Sequence, residues 1–315
     1  MCKRLSCLFI CALLLLSASC GVAQEGTVKE ENSDKNCGER EMTLARPEGI
    51  LNQEHSDSMR TADTQIPLNT ELILEADAPS DVITPQGGCT DGAYFYQVYI
   101  FAQINQFLNT CRVVKYNLAT GECVKQSELL QLNHANDMTY NSKKNCLVIA
   151  HNAPVANCIT CLDPDTLEVV DHFSIDYFIF SIDYNEATDQ YVIGLASSQT
   201  FCILNSDFEA VTEVFVPSER TEACITQGMA MDDEFIYFVL YKPNVVSVYD
   251  WDGNFVTLIE LNEIAPLFYE PENISVTDGV MYIGCGCNGM NGGLDFCVFR
   301  LTGFVPKTDA EVNAE

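Results

Sequence analysis

Amide, carboxyl, imidazole and phenyl side chains recur in this chain where short apolar segments begin. Amides and carboxylates hydrogen-bond hydroxyl groups and aromatic rings stack on sugar rings, so this combination is typical of sites for sugars or polyols. We therefore predict a ligand-binding site. Its nine candidate residues are Gln86, His134, Asn136, Asp137, Phe180, Asp183, Gln227, Glu270 and Glu272.

The same carboxyl groups allow an alternative, catalytic interpretation. Asp137 or Glu270 could pair with Glu272 as general acid and base in a glycan hydrolase or lyase, if burial and like charge raised one pKa. The chain has 45 acidic residues, however, so neighbouring carboxyl groups are expected by chance. A structural alternative is that the amides only satisfy backbone groups at strand starts. We assign no catalytic residue and expect a non-catalytic protein.

Sequence signatures of cofactor and metal chemistry are absent from the chain. It has no nucleophile elbow, no Walker loop, no HExxH motif, no dinucleotide-binding fingerprint and no DxDxDG-like calcium loop. The sequence therefore predicts neither a cofactor nor a bound metal.

Cysteine is the other chemically active residue that occurs often. Twelve of the 16 cysteines lie from Cys37 onward, an even number that permits disulfides without establishing them. Cys158 and Cys161 have CxxC spacing, but they lie in an apolar segment predicted to be a strand, where residues three apart point to opposite faces. Cys285 and Cys287 share a face, without further ligands at metal-binding spacing. We interpret the cysteines as small buried apolar residues, with inter-strand disulfides as the alternative.

The candidate site residues belong to a repeat. In each copy a polar or aromatic anchor lies five residues before a turn residue, and a strongly apolar segment follows. The anchors are separated by 50, 44, 47 and 45 residues, which is typical of propeller blades. They are Gln86, Asn136, Phe180, Gln227 and Glu272.

A second repeat, made of turns, keeps the same period. Its turns begin at Asn117, Asp163, Asn205 and Asp250, with separations of 46, 42 and 45 residues, and residues 299–303 are a weaker copy. Asn and Asp turn the chain through local side-chain hydrogen bonds. Two repeats in register indicate that one structural unit recurs along the chain.

These repeats, together with short β-branched and aromatic segments, predict an all-β fold. We expect a single five-bladed β-propeller of four-stranded antiparallel blades over residues 68–304. The last repeat lacks an outer strand, which residues 70–75 could supply to close the ring. The anchors would then surround one opening of the central channel, with Phe180 as an apolar wall.

The N-terminus has the order of charged, apolar and small residues typical of a signal peptide, predicted over residues 1–23. Cleavage before Cys20 would leave a lipid-modified cysteine, whereas cleavage after Ala23 would release a secreted protein. A flexible acidic tether over residues 24–67 favours the lipoprotein. An acidic tail is predicted over residues 305–315.

Net charge narrows the class of partner. The chain carries a formal charge of −29, which becomes −31 without the predicted signal peptide. Such a protein lacks the basic surface that nucleic-acid binding needs, and anionic lipid headgroups repel it unless it has a lipid anchor. We expect a monomer that binds a glycan or a surface protein, with no nucleic acid and no membrane contact except through the anchor.

Three short segments carry a resemblance to a known family. Residues 86–88 (Gln-Gly-Gly), 133–137 (Asn-His-Ala-Asn-Asp) and 226–229 (Thr-Gln-Gly-Met) open the first, second and fourth repeats. This pattern resembles the propeller family that includes TagC-like proteins, phage receptor-binding proteins and the bacteriocin helveticin J. The resemblance covers about residues 68–304 and implies a five-bladed propeller at bacterial surfaces, with wall-glycopolymer recognition in some members.

The acidic charge departs from what that family implies about the ligand. Phosphate-rich teichoic acids would be repelled by a chain of this charge. We therefore expect an exported, lipid-anchored or secreted propeller that binds a neutral glycan or a protein. The alternatives are a glycan-acting enzyme and an interaction scaffold.

Overall fold

The computed structural model describes residues 64–79, 82–101, 110–195, 198–217, 224–261, 264, 270–288 and 294–306. These residues form twenty β-strands and no helix, which confirms the all-β class. No described helix is therefore long and apolar enough to cross a membrane. The predicted signal peptide, Cys20 and residues 24–63 of the predicted tether lie outside the described residues. The first strand, β1 (Thr64–Asp77), includes the last four residues assigned to that tether.

The first two repeats form separate antiparallel sheets. The first sheet runs in the order β2 (Val82–Thr90), β3 (Tyr94–Phe101), β4 (Thr110–Asn117) and β5 (Cys123–Gln126), and the short β6 (Leu130–Gln131) also pairs with β4. The second consists of β7 (Asp137–Asn141), β8 (Cys146–Ala150), β9 (Cys158–Leu162) and β10 (Val169–Ser174). In both, consecutive strands are hydrogen-bonded neighbours.

The third repeat has only three named strands, so the prediction of four strands in every unit is wrong here. These strands are β11 (Ile179–Asn185), β12 (Gln190–Leu195) and β13 (Thr200–Asn205). Two isolated bridges, Phe201 to Phe215 and Leu204 to Ala210, lie where a fourth strand would pair with β13. Residues 210–215 therefore follow β13 without forming a regular strand.

The last two repeats are joined in one eight-stranded sheet. The fourth repeat contributes β14 (Ile225–Met231), β15 (Phe235–Tyr241), β16 (Val245–Asp250) and β17 (Phe255–Glu260). The fifth contributes β18 (Glu270–Thr277), β19 (Val280–Asn288) and β20 (Leu294–Pro306). We call β14–β17 the fourth sheet and β18–β20 with β1 the fifth sheet, although hydrogen bonds join the two. Strand β1 pairs antiparallel with β20 along most of its length, as predicted for residues 70–75.

The fourth and fifth repeats are joined in one sheet, whereas the sequence predicted separate blades. Strand β1 has 14 residues, and its first two, Thr64 and Gln65, also pair in parallel with Leu258 and Ile259 of β17. The long β1 therefore bridges the fourth and fifth repeats at one end.

Apolar side chains hold neighbouring sheets together. Each buried apolar cluster is shared by two sheets that follow one another along the chain, and the cluster containing Leu74 joins the last sheet to the first. The first strands also contact one another in the cyclic order β2, β7, β11, β14, β18 and back to β2. The sheets therefore form a closed ring around their first strands.

Both sequence repeats correspond to turns held by Asn or Asp side chains. Asp91 and Asp232 each accept backbone N–H bonds on Oδ1 and a tyrosine hydroxyl on Oδ2. In the second series, the Oδ1 atoms accept two backbone N–H bonds each within the turn between the third strand and the chain that follows it. The members of this series are Asn117, Asp163, Asn205 and Asp250.

Ring closure by β1 predicts a position-specific stability effect. Leu74 is buried in the cluster with Phe95, Phe296 and Val298, whereas Leu72 on the same strand is 47% exposed. We expect Leu74→Ala to lower the free energy of unfolding by about 3 kcal/mol, because it leaves a cavity in the closing interface. Leu72→Ala should cost less than about 0.5 kcal/mol. Urea unfolding measures both, and equal effects would contradict closure through this interface.

Candidate functional site

Backbone irregularities position the anchors. Four of the five lie inside register shifts of the first strand of their sheets. A β-bulge bends the strand and re-aims the side chains next to it. The four are Gln86, Phe180, Gln227 and Glu272, and the fifth anchor, Asn136, directly precedes β7. The repeat seen in the sequence therefore marks a repeated bulge at the inner edge of the sheets.

The first cluster at this edge joins an amide to a carboxylate across two sheets. The Gln86 Nε2 atom donates to Glu272 Oε2 at 3.0 Å. The Thr84 hydroxyl donates to the other oxygen, Oε1, at 3.3 Å. Glu272 is only 1% exposed and Gln86 6%. The first and fifth sheets thus share a desolvated amide–carboxylate pair.

A second amide–carboxylate pair lies on the fourth and fifth sheets. The Gln227 Nε2 atom donates to Glu270 Oε1. Asn136 donates from Nδ2 to the Gln227 carbonyl oxygen at 2.7 Å and accepts from Asn152 Nδ2 at 3.3 Å. Burial raises the pKa of the Glu270 carboxyl to about 7, although Lys242 and the Gln227 amide oppose the rise. Glu270 can therefore exchange a proton near neutral pH.

Asp137 lies one residue beyond the second anchor and is fully buried. Its Oδ2 atom accepts the N–H groups of Ile182 at 3.1 Å and Met229 at 3.0 Å, and Oδ1 accepts that of Met138 at 3.0 Å. Burial raises the pKa of this carboxyl well above its ordinary value, against the opposing effect of the three N–H donors. Asp137 thus connects the second, third and fourth sheets through their backbones.

Asn273 has the corresponding place after the fifth anchor. Its Nδ2 atom donates to the Gln86 carbonyl oxygen at 2.7 Å and to Gln97 Oε1 at 3.1 Å. Gln97 donates to the same carbonyl at 2.9 Å. Asn273 and Gln97 are fully buried and were not among the predicted site residues. The signal that could have identified Asn273 is its position one residue after an anchor, which matches that of Asp137.

The first strands approach one another closely at the level of these buried groups. A Cβ atom on Gly87 would lie 2.7 Å from Asp137 Cα, and one on Gly228 would lie 3.1 Å from Asn273 Cα. Both glycines directly follow an anchor. The centre is therefore tightly packed at this level, and the anchors one residue earlier lie next to the packed layer.

Asp183 forms a second tie between sheets. Its Oδ1 atom accepts the Thr139 hydroxyl, and its Oδ2 atom accepts the Met231 N–H at 2.8 Å. Burial raises its pKa to about 6. The hydrogen bonds of Asp137 and Asp183 thus connect neighbouring sheets.

His134 and Phe180 are the remaining candidates. The His134 backbone N–H donates to Ala153 O at 3.0 Å, and burial lowers the pKa of its imidazole to about 4, so the ring is neutral at pH 7. Phe180 is partly buried at the bulge of β11. Within the described ranges, no hydrogen bond joins the His134 ring to the other candidates. The structure therefore brings together Gln86 with Glu272, and Asn136 with Gln227 and Glu270.

Among the residues that the structure describes, no group of three or more His, Cys, Asp or Glu side chains is arranged to hold an ion.

Comparison with known structures identifies the architecture. The glutaminyl cyclase of Myxococcus xanthus superimposes with a TM-score of 0.54 and 13% identity over 76% of this chain and 99% of that one. The tail fibre of Staphylococcus aureus phage P68 gives a TM-score of 0.54 and 12% identity over 75% of this chain and 53% of the fibre chain. Both are β-propellers. This chain is a β-propeller. The propeller thus spans about half the length of the phage fibre, and its sequence matches no protein-family model and no curated protein.

Because both carboxylate oxygens of Asp137 accept backbone N–H groups, we expect stability to depend strongly on this carboxylate. In Asp137→Asn, either orientation of the amide points its NH₂ group at a backbone N–H donor. We expect a loss of about 3 kcal/mol in the free energy of unfolding. Asp207→Asn is the matched control, because that side chain is 82% exposed, and it should change stability by less than about 0.5 kcal/mol. Urea unfolding measures both variants. An unchanged free energy of unfolding in Asp137→Asn would contradict this role of Asp137.

The raised pKa of Glu270 predicts a pH-dependent stability difference. Above about pH 5 an unfolded chain has mostly released this proton, whereas the folded propeller holds it up to about pH 7. The folded state binds more protons, so the stability contribution of Glu270 falls as pH rises from 5 to 8. Glu270→Gln should therefore gain stability relative to the wild type across that range. Unfolding at several pH values measures the difference, with exposed Glu128→Gln as control, and a pH-independent difference would contradict it.

Proposed function

We propose that this propeller is a non-catalytic binding module, with five blades, that recognises a neutral glycan at the bacterial cell surface. In this proposal the protein is exported and held on the membrane by a lipid on Cys20, with residues 24–63 as the tether. The ligand binds where the repeat anchors meet. A surface protein as ligand and a purely structural scaffold are the outcomes that the experiment below distinguishes.

Several features support the number of blades. The first strands contact one another in a cycle of five, and each buried apolar cluster is shared by two neighbouring repeats. Strand β1 supplies the outer strand of the last repeat. The parallel pairing of β1 with β17 involves two residue pairs, so it connects the edges of two blades without merging their cores. The resemblance to TagC-like proteins and helveticin J points to the same architecture.

The observation that carries the proposal is the pair of amide–carboxylate contacts, Gln86 with Glu272 and Gln227 with Glu270. Carboxylate oxygens accept hydrogen bonds from hydroxyl groups, and amides both donate and accept. A ligand with adjacent hydroxyls can exchange hydrogen bonds with the pair of Gln227 and Glu270, because Glu270 is only partly buried. Bulges on the inner strands hold Gln86, Gln227 and Glu272, so these groups are oriented before the ligand arrives.

Charge favours a neutral ligand over a phosphate-rich one. The chain carries a formal charge of −29, and two of its carboxyl groups lie among the anchors. An anionic polymer would meet like charge at the site and in the surrounding field. Neutral sugars bind through hydroxyls and avoid this cost.

The pKa of Glu270, raised to about 7, favours a second candidate function. A carboxyl group that is protonated near neutral pH can act as a general acid, and Glu272 lies two residues away on β18. One similar propeller is an enzyme, a glutaminyl cyclase, so the shared architecture is compatible with catalysis. A glycan-acting enzyme that uses Glu270 with Glu272 is therefore the alternative.

A binding screen tests the proposal. The mature chain is screened against neutral glycans and cell-wall fractions, next to the single variants Gln86→Ala and Gln227→Ala. Each variant removes the amide of a charged hydrogen bond, which is worth about 1–3 kcal/mol, or roughly 5- to 150-fold in Kd. Gln126→Ala is the matched control. Gln126 lies on the exposed strand β5, and its amide oxygen accepts a hydrogen bond from Arg112 of β4. This variant should leave the Kd unchanged.

The outcomes separate the candidate functions. Saturable glycan binding weakened by both anchor variants supports the proposal. Release of shorter sugars that stops in Glu270→Gln and Glu272→Gln while binding persists would establish the enzyme. Absence of glycan binding, or binding that neither variant affects, would overturn the glycan site and favour a protein-binding scaffold.

A further inference from the structure

One aromatic side chain next to the anchors is exposed to solvent. Phe178 is 50% exposed, and no other phenylalanine, tyrosine or tryptophan among the described side chains is as exposed. Phe178 lies two residues before the anchor Phe180, so their Cα atoms are at most about 7 Å apart. A phenyl ring therefore lies in solvent next to the position where the third repeat contributes its anchor.

The backbone on either side of Phe178 is held by two hydrogen bonds. The Ile179 N–H donates to the Ala156 carbonyl oxygen at 2.7 Å, and the Ile175 N–H donates to that of Asn157 at 2.9 Å. Both isoleucine side chains are buried in the cluster between the second and third sheets. Because the chain is fixed before and after Phe178, little conformational freedom of this segment is lost when a ligand covers the ring.

The segment that accepts these bonds also contacts an anchor. It is the connection between β8 and β9, residues 151–157. Within it, Asn152 donates from Nδ2 to Asn136 Oδ1 at 3.3 Å. Asn136 in turn donates to the Gln227 carbonyl oxygen at 2.7 Å. The connection between β8 and β9 therefore lies between the site that contains Gln227 and the segment that carries Phe178.

The same connection adds a second exposed apolar side chain. Val155 is 42% exposed and directly precedes Ala156, as Phe178 directly precedes Ile179. The two apolar residues therefore each lie one residue from the same hydrogen bond. Apolar surface beside amide and carboxyl groups suits a sugar, because the C–H bonds of a sugar ring pack on an aromatic face while its hydroxyls form hydrogen bonds.

We propose that Phe178 is the surface on which a sugar ring of the ligand stacks, with Val155 beside it. This inference rests on the proposed glycan-binding function and names the class of sugar, a neutral pyranose with an uninterrupted C–H face. In β-linked glucose units the hydroxyls are equatorial, so each ring face carries axial C–H bonds. Such a ring covers Phe178 with one face, and its equatorial hydroxyls remain directed sideways for hydrogen bonds.

Binding of cellohexaose, a neutral oligomer of β-linked glucose, tests the proposal. Calorimetric titration of the full mature chain gives its Kd, and we expect Phe178→Ala to weaken binding about tenfold because the stacking contact is lost. Phe178→Tyr keeps a flat ring and should retain the wild-type Kd. Val170→Ala is the matched control, since Val170 is 57% exposed on the outer strand β10, and it should also leave the Kd unchanged.

Saturation-transfer NMR detects the stacking contact itself. Irradiation of the aromatic protons of the protein should transfer saturation to the axial protons of the bound sugar. This transfer should disappear in Phe178→Ala and persist in Gln227→Ala, which removes a hydrogen-bonding group and keeps the ring. A substitution that only disturbed the fold would weaken binding without changing the pattern of saturation in the sugar that still binds.

The outcomes separate this inference from the proposed function. Glycan binding that Gln227→Ala weakens and Phe178→Ala does not would overturn the role of Phe178 and leave the glycan site standing. Binding of another neutral glycan without binding of cellohexaose would overturn the class of sugar. Absence of binding to every neutral glycan would overturn the proposed function, and this inference with it.

Discussion

The structure depends on one buried carboxyl group. Asp137 is the first residue of β7. Its carboxyl group accepts backbone N–H groups from its own strand and from the first strands of the third and fourth sheets. Inner strands of a propeller do not hydrogen-bond to one another along their length, so their N–H groups need partners from side chains. A single carboxylate provides three acceptor positions at this point. Asp183 likewise accepts the Met231 N–H, whereas Asn273 donates from Nδ2 to the Gln86 carbonyl oxygen.

The position of this buried layer depends on the bulges. A bulge adds one residue to the inner strand, which lets the anchor point away from the sheet while the next residue turns toward the centre. At two of the five positions that next residue is glycine, where the neighbouring backbone leaves no room for a Cβ atom. The polar anchors are therefore held on a layer that cannot move without breaking contacts between sheets. Such rigidity suits a preorganised binding site.

Carboxyl groups affect this protein both at its surface and in its interior. On the surface, the excess of carboxylates repels anionic partners and favours solubility. In the interior, burial raises the pKa values of Asp137, Asp183 and Glu270, because it disfavours their charged forms. The fold is shared with a glutaminyl cyclase and a phage tail fibre, so the architecture alone does not define what this chain does.

The sequence by itself determined the all-β class, the period of the repeats, the Asx turns and the closing strand. These features depend on local side-chain hydrogen bonds and on alternating apolar residues, which lie within each repeat. It also placed Gln86, Gln227 and Glu272 at one repeated position. Only the tertiary structure decided that Asp137 and Asp183 connect sheets and that Glu270 contacts Gln227. Each of those contacts joins different strands or different sheets. Their partners depend on how the strands pair and how the ring closes, which spacing along one chain does not specify.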